Sequence, residues 1–131
     1  MTRVSPQARS LRRLYDALHA IYGEQPWWPA DSPFEIMVGA VLTQNAAWSN
    51  VEKAIERLKA SGLMSLPALL DTTHEQLAES IRPSGYYNIK ARRLRNLCLF
   101  LDQAGGLEAF AAWSLGDQRA ALLDVNGVGP E

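Results

Sequence analysis

The sequence predicts an all-α domain. Three observations carry that expectation. Apolar residues recur at helical spacing through most of the chain, most such runs open on a Ser or Thr cap with Pro or Glu close behind, and no segment alternates polar with apolar long enough to make a strand. Roughly seven or eight helices with short connections follow, with no low-complexity segment and no repeat.

Taken in order, Ser5 and Pro6 read as cap and first helical residue, and Leu11, Leu14, Tyr15, Leu18 and Ile21 form an apolar stripe that ends at Gly23. Ser32, Pro33 and Glu35 give the second start, with Glu35 as the acid of a capping box. The run FEIMVGAVLTQ after it is apolar nearly all round, as in a helix buried mid-domain. A third helix is predicted from about Ala46 to Ala60, with Val51, Ala54, Ile55 and Leu58 inward, and Gly62 ending it. Ser65 with Pro67, and then Thr72 with Glu75, start two short helices, the second stopped by Pro83, Ser84 and Gly85. YYNIKARRLRNLCLFLDQAGG is long and amphipathic; Leu107 to Trp113 and Asp117 to Asp124 are two more short helices, the last started by Ser114.

At 131 residues and 47% hydrophobic content, the chain is one domain's worth, spanning 1–131. A formal net charge of -1 announces neither nucleic acid nor membrane nor an acidic partner, so any basic surface must be local. The single cysteine, Cys98, excludes an internal disulfide and any metal site of several thiolates within these residues; inside an apolar helix run it reads as a small core residue. With no signal-peptide pattern and no apolar run of membrane-spanning length, a reducing, cytoplasmic setting is the expectation. The chain stops at NGVGPE, where a glycine turn is about to feed a helix. It therefore reads as a fragment or a product cut short.

Four stretches carry possible chemistry. QPWWPADSP, residues 25 to 33, sets Trp27 and Trp28 between prolines that deny them a helix, so their rings either plug the core or stand as a pocket wall. VLTQNAAW ends the buried helix with Gln44 and Asn45 before Trp48; such amides cap a helix or probe a base edge. RPSGYYNIKARRLR sets Gly85, Tyr86 and Tyr87 before Lys90, Arg92, Arg93 and Arg95. That is either a solvated basic face with core tyrosines, or a ring to push into a base stack with cations to grip the flanking phosphates. In LLDVNGVGPE, glycines at alternate positions either form a simple C-cap and turn or expose N–H groups to a phosphate.

In this order and at these separations, VLTQNAAWSNVEKAIERL, IRPSGYYNIKARRLRNLCLFL and LLDVNGVGPE resemble the helix-hairpin-helix DNA glycosylases of the endonuclease III superfamily. The WWP of the loop, VLTQN, RPSGYYN and GVGPE look most like the 3-methyladenine DNA glycosylase III branch. The resemblance covers nearly the whole chain and implies the N-terminal part of that fold, the six-helix region and the start of the hairpin at about 122–131. It implies a base-excision repair enzyme whose partner is double-stranded DNA containing damaged bases. Trp27 and Trp48 would sandwich a flipped alkylated base, with Trp28 and Pro29 completing the pocket. Indole suits such a base, because a methylated adenine is a planar cation. Tyr86 matches the wedge, Gln44 the residue that fills the gap, and Gly127, Val128 and Gly129 the phosphate-binding turn, with Lys90, Arg92 and Arg93 as candidates for further backbone contacts.

Bifunctional members carry a Schiff-base lysine two residues beyond the hairpin's second glycine. Here that position is Glu131, which favours a monofunctional enzyme that hydrolyses the glycosidic bond. By resemblance, the catalytic aspartate lies past the hairpin, as do the cysteines of a 4Fe-4S cluster where members have one. The 131 residues alone are therefore expected to hold no catalytic residue, cofactor or metal. The alternatives are an endonuclease III-type glycosylase and lyase on oxidised pyrimidines, a non-catalytic DNA-binding module, and a protein-binding helical domain.

Overall fold

The computed structural model describes residues 3–24 and 29–130. Among them the chain forms α1 (Pro6–Tyr22), α2 (Pro33–Leu42), α3 (Trp48–Ala60), α4 (Leu66–Asp71), α5 (His74–Ser80), a 3-10 turn (Arg82–Ser84), α6 (Tyr87–Gln103), α7 (Leu107–Ala111) and α8 (Leu115–Leu123), with no strand. Four of the caps are the ones the sequence announces. Ser5, Ser32, Ser65 and Ser114 each accept the backbone N–H three residues on, at 3.1 to 3.2 Å.

Three local expectations shift. Thr73, not Thr72, caps α5 by accepting from Gln76 N–H; Thr72 instead closes α4, is buried, and donates its hydroxyl to Gln76 Oε1. The third helix starts at Trp48 rather than Ala46, because Asn45 turns left-handed (φ 54°) and breaks the path from α2. Glu35 reaches one residue further back than a capping box requires, accepting from Asp31 N–H at 2.8 Å.

The core lies where α2, α4 and α5 pack on α6 and α3 packs on α2, α5 and the 3-10 turn, built from Val38, Leu42, Val51, Ala54, Leu58, Leu69, Leu77, Ile81, Leu94 and Leu101. Cys98 is buried among them, and burial pushes its thiol up to about 11, so it stays protonated and inert. Two helices end in Schellman closures: Leu63 and Gly62 N–H return to Leu58 and Lys59 O after α3, and Gly106 and Gly105 N–H to Leu101 and Asp102 O after α6.

The helix α1 is regular but buries no residue. Its stripe of Leu11, Leu14, Tyr15, Leu18 and Ile21 stays exposed, Ile21 at 72%. α8 also buries nothing, and Leu115 is 84% exposed. No described helix is long and apolar enough to cross a membrane.

Candidate nucleic-acid interface

Two turns and a hairpin meet beside the N-terminal half of α6. The first turn leaves α2 at Leu42, where the Thr43 hydroxyl folds back on Gly39 O at 2.6 Å. Gln44 follows, with both amide atoms bonded: Nε2 donates to Gly127 O at 2.9 Å and Oε1 accepts from Arg93 Nη1 at 2.5 Å. Asn45 is exposed in its left-handed geometry, and Trp48 opens α3 half-buried against the core.

The second turn begins at the 3-10 segment. Ser84 is buried with its hydroxyl on Ile81 O at 2.7 Å, and Gly85 takes φ 73°. Tyr86 then stands at the N-cap of α6 with φ 45° and ψ 39°, 65% exposed. A non-glycine residue in this region carries strain, because its Cβ crowds the backbone carbonyl. The result is an aromatic ring held out from the end of a rigid helix. The neighbouring Tyr87 is half-buried, with the Arg82 guanidinium 5.5 Å from its ring centre.

The hairpin closes as a β-turn in which Val128 N–H donates to Val125 O at 3.1 Å and Gly127 takes φ 101°. It is docked on α6. Arg93 lays its stem against Gly127, and Asn96 Nδ2 donates to Asn126 O at 3.2 Å. Among the described residues, no acceptor occupies the N–H groups of Gly127 and Gly129. Val128 corrects the sequence reading: its N–H points back into the turn and is not offered outward. Between α2, α6, α8 and the hairpin lies an open groove of about 770 Å³, with Gln44, Asn45 and Arg93 among its polar walls and Met37, Val41 and Leu97 among its apolar ones.

The basic cluster divides. Lys90 is not a surface cation: it is 1% exposed, and its Nζ donates to Leu42 O at 2.8 Å and Ser84 O at 2.6 Å. Helical spacing puts it on the core face of α6, beside Ala91 and Leu94, where no phosphate reaches. Burial lowers its affinity for its proton, and the Arg93 charge acts in the same direction. Arg95 bends back to Thr72 O, and Arg93 is occupied by Gln44. Arg92 is exposed.

Pro29 is exposed. Trp27, Trp28 and Glu131 lie outside the described residues. The exit of the tryptophan loop is nonetheless anchored. Lys59 Nζ sits 2.7 Å from Asp31 Oδ2 and 2.5 Å from Glu35 Oε1, a buried oxygen that has this ammonium as counter-charge without an aligned hydrogen bond. The Asp31 carboxylate first, then that of Glu35, raises the Lys59 pKa above its ordinary 10.5. Among the described residues, no group of three or more His, Cys, Asp or Glu could hold a metal ion.

Comparison with known proteins turns this geometry into a family. Residues 38–126, which include both turns and the hairpin's first half, match the HhH-GPD superfamily of base excision DNA repair proteins. The chain belongs to the HhH-GPD superfamily. A relative, MJ1434 of Methanocaldococcus jannaschii, named as a DNA repair glycosylase, is 43% identical over 122 residues, covering 91% of this chain and 56% of its own. Among solved structures, the H. pylori 3-methyladenine DNA glycosylase MagIII bound to 1,N6-ethenoadenine is 34% identical and superposes with a TM-score of 0.75, over 94% of this chain and 59% of its own. The chain thus spans between half and two thirds of the length of these two proteins.

Several contacts that build this HhH-GPD interface are invisible to sequence pattern. Gln44 meets Gly127 across 83 positions, and Arg93 and Asn96 grip the hairpin from one face of α6. The one available signal was spacing: Arg93 and Asn96 are three apart, so a helix presents both to the same neighbour.

Proposed function

We propose that the protein is a monofunctional DNA glycosylase of base-excision repair, releasing alkylated purines of the 3-methyladenine kind by hydrolysis. The observation that carries this reading is the pair of left-handed, non-glycine residues, Asn45 and Tyr86, on two adjoining turns that present an amide and an exposed ring beside a hairpin with outward N–H groups. Tyr86 enters the stack as a wedge, and Gln44 exchanges its bonds to Gly127 O and Arg93 for the space left by the extruded nucleotide, which offsets the lost stacking, on the order of a few kcal/mol. The flipped base lies between Trp27 and Trp48, where a cationic purine gains from indole faces. Gly127 and Gly129 N–H groups, with Arg92, hold phosphates. Glu131 in place of a Schiff-base lysine, and the 34% identity to a 3-methyladenine enzyme, support hydrolysis of alkylated purines.

Release of free base from duplex DNA carrying 3-methyladenine, by the complete gene product, tests this reading. Trp48→Ala is expected to abolish most of the activity. Arg57→Ala serves as control, since its contact with Glu79 is a solvent-exposed pair at 3.7 Å. A covalent DNA complex trapped by borohydride would instead establish the lyase reading. DNA binding without base release would leave a non-catalytic module.

A further inference from the structure

Lys90 poses a physical problem. An ammonium taken out of water is costly unless a counter-charge or good hydrogen bonds compensate it. Among the described residues, no carboxylate lies within ion-pair distance of Lys90, and its partners are two neutral carbonyls. A methionine would fill the same volume without the desolvation penalty. Satisfying the open carbonyl at the end of α2 alone would need only a surface lysine reaching in from solvent.

The identity of the two carbonyls resolves the problem. Leu42 is the last residue of α2, immediately before Thr43, Gln44 and Asn45; Ser84 is the last residue of the 3-10 turn, immediately before Gly85 and Tyr86. Asn45 and Tyr86 are also the non-glycine residues with positive φ among those described, one in each turn. Strained backbone of this kind persists only where its surroundings over-determine it. One nitrogen holds the carbonyl that opens each strained turn, and the backbone N–H of the same residue donates to Tyr86 O at 2.9 Å. Two N–H donors remain even on a neutral amine, so both bonds outlast loss of the proton.

We infer that Lys90 is a positioning residue for base release: it clamps the Gln44 turn to the Tyr86 turn, so that wedge and gap-filling side chains meet the duplex as one rigid unit. This rests on the proposed roles of Gln44 and Tyr86. The proposed phosphate contacts lie on Arg92 and on the hairpin, which Arg93 and Asn96 of α6 hold independently of Lys90. Losing the clamp therefore slows base extrusion and spares binding.

The test compares Lys90→Met, Tyr86→Ala, Gln44→Ala and the double variant Lys90→Met with Tyr86→Ala in the complete gene product. The substrate is a duplex carrying 3-methyladenine beside 2-aminopurine, whose fluorescence rises on unstacking. The expected result for Lys90→Met is a kcat lowered about tenfold or more with KM within about threefold of wild type, and a matching loss of the fluorescence rise. In the double variant, Lys90→Met adds little to Tyr86→Ala, because both act through one turn. A folded Lys90→Met with wild-type kcat overturns the inference, as does a loss that simply adds to that of Tyr86→Ala. Unchanged base release in both Tyr86→Ala and Gln44→Ala removes the proposed roles themselves, and the inference with them. Should Lys90→Met fail to fold, Lys90→Gln keeps one donor in place: a reduced kcat at unchanged KM supports the clamp, and wild-type kcat overturns it.

Discussion

Gly127→Ala tests the hairpin's docking on α6. Gly127 has φ 101°, and a Cβ built there would lie 2.3 Å from Arg93 Cγ and 2.8 Å from Arg93 Cβ. Both atoms belong to the fixed stem of a side chain whose far end is held by Gln44. The added methyl therefore meets two costs at once: about 1 to 2 kcal/mol for an L-residue in left-handed backbone, and displacement of Arg93 with loss of a charge-assisted hydrogen bond, about 1.5 to 3 kcal/mol where buried. Arg93 is half-exposed, so water recovers part of the second cost. A net loss of about 2 to 4 kcal/mol falls on the hairpin, since local opening limits how far it spreads.

The readout is amide hydrogen exchange at Val128, whose N–H closes the turn on Val125 O. At 1.4 kcal/mol per decade, exchange is expected to quicken by a factor of roughly 30 to 1000. Gly129→Ala is the internal control. Its φ is not positive and a Cβ there meets nothing within 4 Å, so Val128 exchange is expected to stay near wild type. Equal exchange in the two variants would mean that the hairpin does not rest on Arg93, and the Gln44, Arg93 and Gly127 network would fall with it.

Other outcomes follow from the same contacts. Tyr86→Gly is expected to raise stability by about 1 kcal/mol in urea denaturation, because glycine relieves the left-handed strain and the exposed ring buries little, while base release falls; a destabilised variant would show that the ring packs. Lys59→Met is expected to melt below wild type at neutral pH. Because the folded-state pKa of Lys59 is raised, its contribution is complete below 10.5 and declines as pH rises through the folded value, so the two melting curves converge in alkali; a gap that does not change with pH would deny the ion-pair origin. Cys98, a buried thiol with a pKa near 11, is expected to ignore a disulfide reagent in the native protein and to react once unfolded.

Sequence alone determined what is local. A serine whose oxygen meets an N–H three residues on, a proline at a first turn, and apolar residues at 3.6-residue spacing act within one turn of backbone, so the helices and most of their ends are legible residue by residue. The segments VLTQN, SGYYN and NGVG are also contiguous, which is why the family shows in them before any coordinates. Tertiary structure decided the partners. Lys90 stands in a run of cations that reads as a basic surface, yet α6 turns it inward, and only the convergence of Leu42 and Ser84 there gives it acceptors. Arg93 and Gln44 look like free side chains in the sequence, and the fold pairs them with each other beside the hairpin. The Val128 N–H belongs to a motif that offers donors, and the turn consumes it. In each case the group's chemistry was written in the chain. Its destination was set by which carbonyl or amide the packing of helices brought within about 3 Å.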